Sequence, residues 1–187
     1  MPTLQDKMDN FDAFLVCCYS QHPLVPMLRA EIAIASSSKR KIVTGIFEAS
    51  VATCLQSLSV DEYETEKFGI VSTGSQWQEI LDEAVANLLG PGPRTRYAGT
   101  ETTGLNADEL HTTPKEYVDG RINLATKILL SKGAKAICLG CAGMSGMDKT
   151  VREACIEHLG DDGNNVKIVD GVLSGIIFLE GTLRANL

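Results

Sequence analysis

The sequence predicts an α/β fold of two pseudo-symmetric Rossmann-like lobes, with mostly parallel sheets and an active-site crevice between them. Three observations carry this. Short apolar runs alternate with segments of helical period along the chain. The stretch G-A-K-A-I-C-L-G-C-A-G-M-S-G-M at 133–147 reads as a buried parallel strand emptying into a glycine-rich turn. Finally, the chain echoes itself. An apolar strand, Cys18, a polar loop and a helix lead to I-V-T-G-I-F-E-A-S-V, and an apolar strand, Cys141, a small-residue loop and a helix lead to I-V-D-G-V-L-S-G-I-I. The echo assigns 1–66 together with 171–187 to one lobe and 67–170 to the other.

The elements follow in order. Residues 11–18 (F-D-A-F-L-V-C-C) form a strand, and Pro23 opens a helix running to about residue 35. A polar turn at 36–40 leads to a short strand at 41–44 and a helix at 45–58, whose apolar face carries Ile46, Ala49, Val51, Ala52 and Leu55. A charged connection at 61–67 precedes a strand at 68–72, and an amphipathic helix spans 77–89. G-P-G-P-R at 90–94 is a rigid break. The Thr- and Gly-rich segment 95–113 has no assignable element. A helix at 114–132 repeats Val118, Ile122, Ala125, Ile128 and Leu129 at helical spacing, and the strand 136–139 follows. A helix at 148–159, a D-D-G-N-N turn, a strand at 166–169 and an apolar helix from 172 toward 184 complete the chain.

Composition narrows the function. The chain has 187 residues with a net charge of −7, which disfavours nucleic acid and anionic membranes as partners. No apolar run approaches a membrane span and the N-terminus has no signal-peptide core, so a cytoplasmic protein is expected. Six irregularly spaced cysteines read as reduced thiols. Cys138-x-x-Cys141 lacks the second close-spaced pair a zinc site needs, and no metal is expected. Glycines 140, 143 and 146 do not match a dinucleotide fingerprint, and Lys149 is misplaced for a phosphate loop.

Cys18 and Cys141 stand at strand-to-loop boundaries, where ligands bind in open α/β sheets. Cys17, Cys54, Cys138 and Cys155 fit the pattern of small buried hydrophobes, and strand alternation turns Cys17 away from its neighbour. Two lobes facing one crevice present one thiol each, from opposite sides of a bound molecule. A base on one face and an acid on the other is what inversion of a carbon centre requires. No cofactor is needed if the carbanion is delocalised into a carbonyl whose oxyanion meets backbone N–H groups. Ser72-Thr73-Gly74 is placed to bind a polar ligand or to cap the next helix. Asp170-Gly171 and Glu48 sit at helix starts, and His22 is a candidate partner for Cys18 or a solvated loop histidine.

L-G-C-A-G-M at 139–144 and I-V-D-G-V at 168–172 resemble the hydantoin and allantoin racemase branch of the aspartate/glutamate racemase superfamily. C-Y-S-Q-H-P-L-V-P-M-L-R from Cys18 and G-I-F-E-A-S-V from Gly45 resemble its fungal members. The resemblance implies Cys18 and Cys141 as base and acid at C5 of a five-membered cyclic ureide. It implies that Tyr19 and Ser20, Ser72-Thr73-Gly74, Ala142-Gly143 and Asp170-Gly171 hold the ring. Related lyases and isomerases of the maleate isomerase or arylmalonate decarboxylase type, and a non-catalytic binding relative, share the fold. The family begins with a strand and helix carrying an Asn-Pro-Asn-Ser-type motif, and nothing before Phe11 matches it. The sequence is therefore read as lacking that unit. A small-molecule substrate and a homo-oligomer are the expected partners.

Overall fold

The computed structural model describes residues 8–34, 41–59, 65–91 and 95–187. The turn expected at 36–40, most of the 61–67 connection and part of the 90–94 break lie outside them.

Two parallel sheets organise the chain. In the first, β1 (Ala13–Val16) pairs with β2 (Ile42–Gly45), Ala13 opposite Ile42 and Val16 opposite Gly45. The crossover α1 (Leu24–Ile34) turns Val25 and Leu28 onto Val16 and Val43 in a small core. After β2 comes α2 (Ile46–Ser57). The second sheet has four strands in the order β4-β3-β5-β6, all parallel: β3 (Lys67–Ser72), β4 (Tyr97–Thr102), β5 (Ala134–Leu139) and β6 (Lys167–Asp170). Its connections are α3 (Trp77–Leu89), the single turn α4 (Glu109–Thr112), α5 (Lys115–Ser131) and α6 (Asp148–Leu159), and α7 (Gly171–Arg184) ends the chain.

The inner strands β3 and β5 are buried on both faces, which is why they read as near-continuous apolar runs. On one face Val71, Ile137 and Leu139 meet Ile122 and Leu129 of α5 and Val151 of α6. On the other, Phe68, Ile70 and Ala136 meet Phe47 and Val51 of α2 and Leu81 and Val85 of α3. The two lobes exchange helices. α2 follows β2 yet packs on β5 and β6, while α7 follows β6 yet packs on β1, β2 and α2. This reciprocity is the structural form of the echo in the sequence, and it holds the strand ends of both sheets against one crevice.

Three expectations need correction. β1 ends at Val16, two residues before the expected Cys18, so both cysteines lie beyond the strand and the alternation rule does not separate them. The segment 95–113 contains β4 and α4. The D-D-G-N-N turn is a 3-10 run, Gly160–Asn165. Among the described residues no helix is long and apolar enough to cross a membrane.

Candidate active site

Cys141 is set by contacts that begin in β3. The Gly140 N–H donates to the Val71 carbonyl at 2.7 Å, and the Ser72 hydroxyl donates to the Gly140 carbonyl at 2.8 Å. A Cβ at position 140 would lie 2.5 Å from Ile70 Cγ2 and 2.9 Å from the Val71 oxygen. Only glycine fits so close an approach. Cys141 then takes an extended conformation (φ −158°, ψ 141°), and its carbonyl accepts the Met144 N–H at 3.0 Å. That bond opens the 3-10 turn Ala142–Met144, which directly follows Cys141 and whose first N–H groups have no partner inside the turn.

In the first lobe the chain leaves β1 through an exposed Cys17 and a half-buried Cys18, whose Sγ is 3.6 Å from Ser20 Oγ. Tyr19 is buried between them. His22 accepts the Leu24 N–H on Nδ1 at 3.2 Å, so it caps the entry to α1. The predicted turn Ser72-Thr73-Gly74 leads into α3, with the Trp77 N–H donating to the Gly74 carbonyl at 3.0 Å.

These pieces enclose a cavity of about 310 Å³, lined by Cys17, Cys18, Tyr19, Thr73, Trp77, Asn106, Ala107, Gly140, Cys141, Ala142 and Gly143. Of the sequence-predicted residues, Cys18, Cys141, Tyr19, Thr73, Ala142 and Gly143 are thus brought together. Ser20, Ser72, Gly74, Asp170 and Gly171 do not line it. Ser72 fixes Gly140. Asp170 caps α7, accepting the Val172 and Leu173 N–H groups at 2.8 and 3.1 Å and the Ser145 hydroxyl at 2.6 Å. Gly171 gives room to the Tyr19 ring, since a Cβ there would lie 3.2 Å from it.

Sequence reasoning missed Trp77, Asn106, Ala107, Gly140 and Cys17 as lining residues. Asn106 and Ala107 follow β4, the strand hidden in a polar segment, and the rule that ligands meet strand carboxyl ends would have found them had β4 been seen. Trp77 opens α3 and packs its ring against the second-lobe core. Cys17 and Cys18 also border a second, apolar groove of about 650 Å³ that runs along β1, together with Phe14, Val16, Leu24 and Leu28. His22 lines that groove, not the cavity.

An α/β fold of parallel-sheet lobes is that of the aspartate/glutamate racemase superfamily. Residues 2–177 match the family described as Asp/Glu/Hydantoin racemase, and the chain belongs to it. An uncharacterized Schizosaccharomyces pombe protein is 35% identical over 188 residues, covering 100% of this chain and 69% of its own length. A second from that yeast is 32% identical over 181 residues, covering 96% of this chain and 67% of its own length. Among solved structures, allantoin racemase from Klebsiella pneumoniae superposes with a TM-score of 0.72 at 20% identity, over 99% of this chain and 65% of that one. Allantoin racemase from Pseudomonas fluorescens gives 0.68 at 21% identity, over 100% of this chain and 69% of that one. The chain therefore spans about two thirds of the length of these proteins.

Proposed function

We propose that this chain carries the two-cysteine site of a cofactor-independent racemase acting on 5-substituted hydantoins, with allantoin the natural candidate. The observation that carries the reading is the pair Cys18 and Cys141 in the wall of one 310 Å³ cavity, one from each lobe. The thiolate of one cysteine takes the C5 proton. The C–H electron pair moves into the neighbouring ring carbonyl, and the thiol of the other cysteine delivers its proton to the opposite face of C5. The enzyme ends with its protonation reversed and is ready for the other enantiomer. The Ala142 and Gly143 N–H groups, at the start of their 3-10 turn, supply donors for the enolate oxygen. Thr73 and Asn106 offer hydrogen bonds to the ring amides, and Trp77 and Ala107 give apolar wall to the C5 substituent.

The names of the two superposed structures and the fungal source of the matched relatives support the substrate class and the fungal-type assignment. The first lobe supports a completing unit. In the second sheet β5 lies between β3 and β6, whereas β1 pairs only with β2 among the described residues. A strand on β1's other edge would stand where β3 stands beside β5, and its following loop would enter the crevice as Thr73 does.

The test is racemisation of allantoin and of 5-benzylhydantoin in D₂O, followed by optical rotation and C5 deuterium content. Cys18→Ser and Cys141→Ser are each expected to lower the rate by at least about 100-fold, the scale of a lost general acid or base. Undiminished turnover in both variants overturns the two-base reading. Loss in one variant alone favours the lyase or isomerase chemistry of the same fold.

A further inference from the structure

We propose that Tyr19 is a positioning residue that clamps the Cys18 loop of the first lobe to β5, the strand that delivers Cys141, and so fixes the separation of the two thiols. The proposal rests on the two-base reading and extends it to a residue that performs no proton transfer. The Tyr19 ring sits edge-on to Phe47 of α2, with centroids 5.6 Å apart, and the residue is only 5% exposed. Its hydroxyl lies 2.9 Å from Ser50 Oγ and 2.8 Å from Cys138 Sγ. Cys138 is on β5, three residues before Cys141, and Tyr19 directly follows Cys18. One hydroxyl therefore joins the two cysteine-bearing segments directly.

Donor counting gives the clamp a direction. The Ser50 hydroxyl is spent on the Phe47 carbonyl at 2.9 Å, so Ser50 Oγ is left as an acceptor and Tyr19 O–H donates to it. The Cys138 S–H in turn donates to the Tyr19 oxygen. Each buried group thus has a partner, and removing one leaves another unpaired in an apolar core. Burial, and next the adjacent Cys138 thiol, hold the Tyr19 phenol well above its ordinary pKa, so it remains a neutral hydroxyl across the working range. Gly171 completes the arrangement by leaving the ring edge room at the start of α7.

A clamp of this kind has a signature that a purely structural residue lacks. In a two-thiol racemase the proton is taken on one face and replaced on the other. If the thiols drift apart, abstraction continues but delivery fails, and the carbanion is reprotonated on its original face after the thiol has exchanged with solvent. Tyr19→Phe keeps the ring and its packing and removes only the hydroxyl. In D₂O it is expected to lower racemisation kcat by about 10- to 100-fold, the cost of misplacing a reacting group by about an ångström, with KM changed less than about threefold. Deuterium is expected to rise in the unreacted substrate relative to the product. Cys138→Ala, which removes the other end of the clamp, is expected to give the same exchange pattern.

A second measurement does not depend on turnover. Iodoacetamide labelling, resolved by site with tandem mass spectrometry, is expected to speed up at least about fivefold at Cys18 in Tyr19→Phe and to leave Cys141 within about twofold of wild type. Wild-type kcat and exchange pattern in both variants overturn the clamp, as does unchanged Cys18 labelling. If the wild-type protein neither racemises nor exchanges either hydantoin, the functional reading falls, and the labelling arm alone decides whether the loop is tethered.

Discussion

β1 and β5 each release a cysteine just beyond their last residues, yet they are supported differently. β5 has a hydrogen-bonded neighbour on either side, while β1 has one among the described residues. The helices exchanged between the lobes show the same contrast. With Gly45 matched to Gly171, Phe47 of α2 corresponds to Leu173 of α7, and Val51 corresponds to Ile177. Phe47 and Val51 are 0% exposed, whereas Leu173 and Ile177 are 57% and 68% exposed. α2 is covered by Phe68 and Ile70 of β3 and Leu81 and Val85 of α3. Helices apolar on all sides are ordinarily buried. The sequence of α7, G-V-L-S-G-I-I-F-L, is as apolar as that of a covered helix, yet Leu173, Ile176, Ile177 and Phe178 are exposed. The repeat copied a βα plan, and its energetic support comes from what packs beside the copy.

The matched positions give the largest test. Phe47→Ala is expected to cost about 3–5 kcal/mol, as for a fully buried aromatic, while Leu173→Ala is expected to stay within about 0.5 kcal/mol. Urea unfolding of the 187-residue chain measures both. A cost above about 2 kcal/mol for Leu173→Ala would show that the α7 face is covered in solution and would break the contrast.

The residues just before the two catalytic candidates give a smaller test of the same kind. Gly140 lies against Ile70 and the Val71 carbonyl because β3 occupies that edge. Gly140→Ala is expected to cost about 1–3 kcal/mol through overpacking. Its counterpart Cys17 is exposed, and Cys17→Ala should leave unfolding unchanged within about 0.5 kcal/mol. Equal costs at the two positions would mean that both edges are filled. A step lower, Asp170→Ala removes the carboxylate that caps α7 and is expected to cost about 1 kcal/mol. α2 has no side-chain cap at Gly45 and is held by burial instead.

The same contrast explains what could be read from the sequence. β3 and β5 announced themselves because they are buried on both faces, so residues 68–72 and 136–139 are apolar regardless of alternation. β4 did not, because Y-A-G-T-E-T is an edge strand whose stability is tertiary. Tyr97 donates to Asp82 of α3 at 2.6 Å, and Asp82 also accepts the Thr100 N–H at 3.0 Å. A window of polar residues carries no sign of such partners. Cys18 and Cys141 were legible as cavity-lining residues because a thiol after a strand is a positional signal. The separation of Cys18 from Cys17 by alternation failed because the strand stops at Val16, and side-chain period has no meaning beyond it. Trp77 and Asn106 come from a helix start and a loop after a hidden strand, so their convergence on the cavity belongs to the fold and not to any local motif.

The finest distinction between the lobes lies in the thiols themselves. Cys155 faces the second-lobe core from α6, and burial pushes its pKa up to about 11. Cys54, on α2 in the layer covering the same sheet, is pushed up by its hydrogen bond with Cys138 and next by burial. The thiolate is the species that alkylates. At pH 8 a group titrating near 11 is thiolate in only about one part in a thousand. Site-resolved iodoacetamide labelling of the native chain at pH 8 should therefore mark Cys17 strongly and leave Cys54 and Cys155 almost unmarked. The sign of the pH dependence follows. Below its pKa the Cys155 thiolate fraction grows about tenfold per pH unit, so its labelling should keep climbing as pH rises from 8 to 10 while the fold persists. Rapid labelling of Cys155 at pH 8 would mean that the second lobe opens as readily as the first. The asymmetry would then belong to the static arrangement alone and not to the protein in solution.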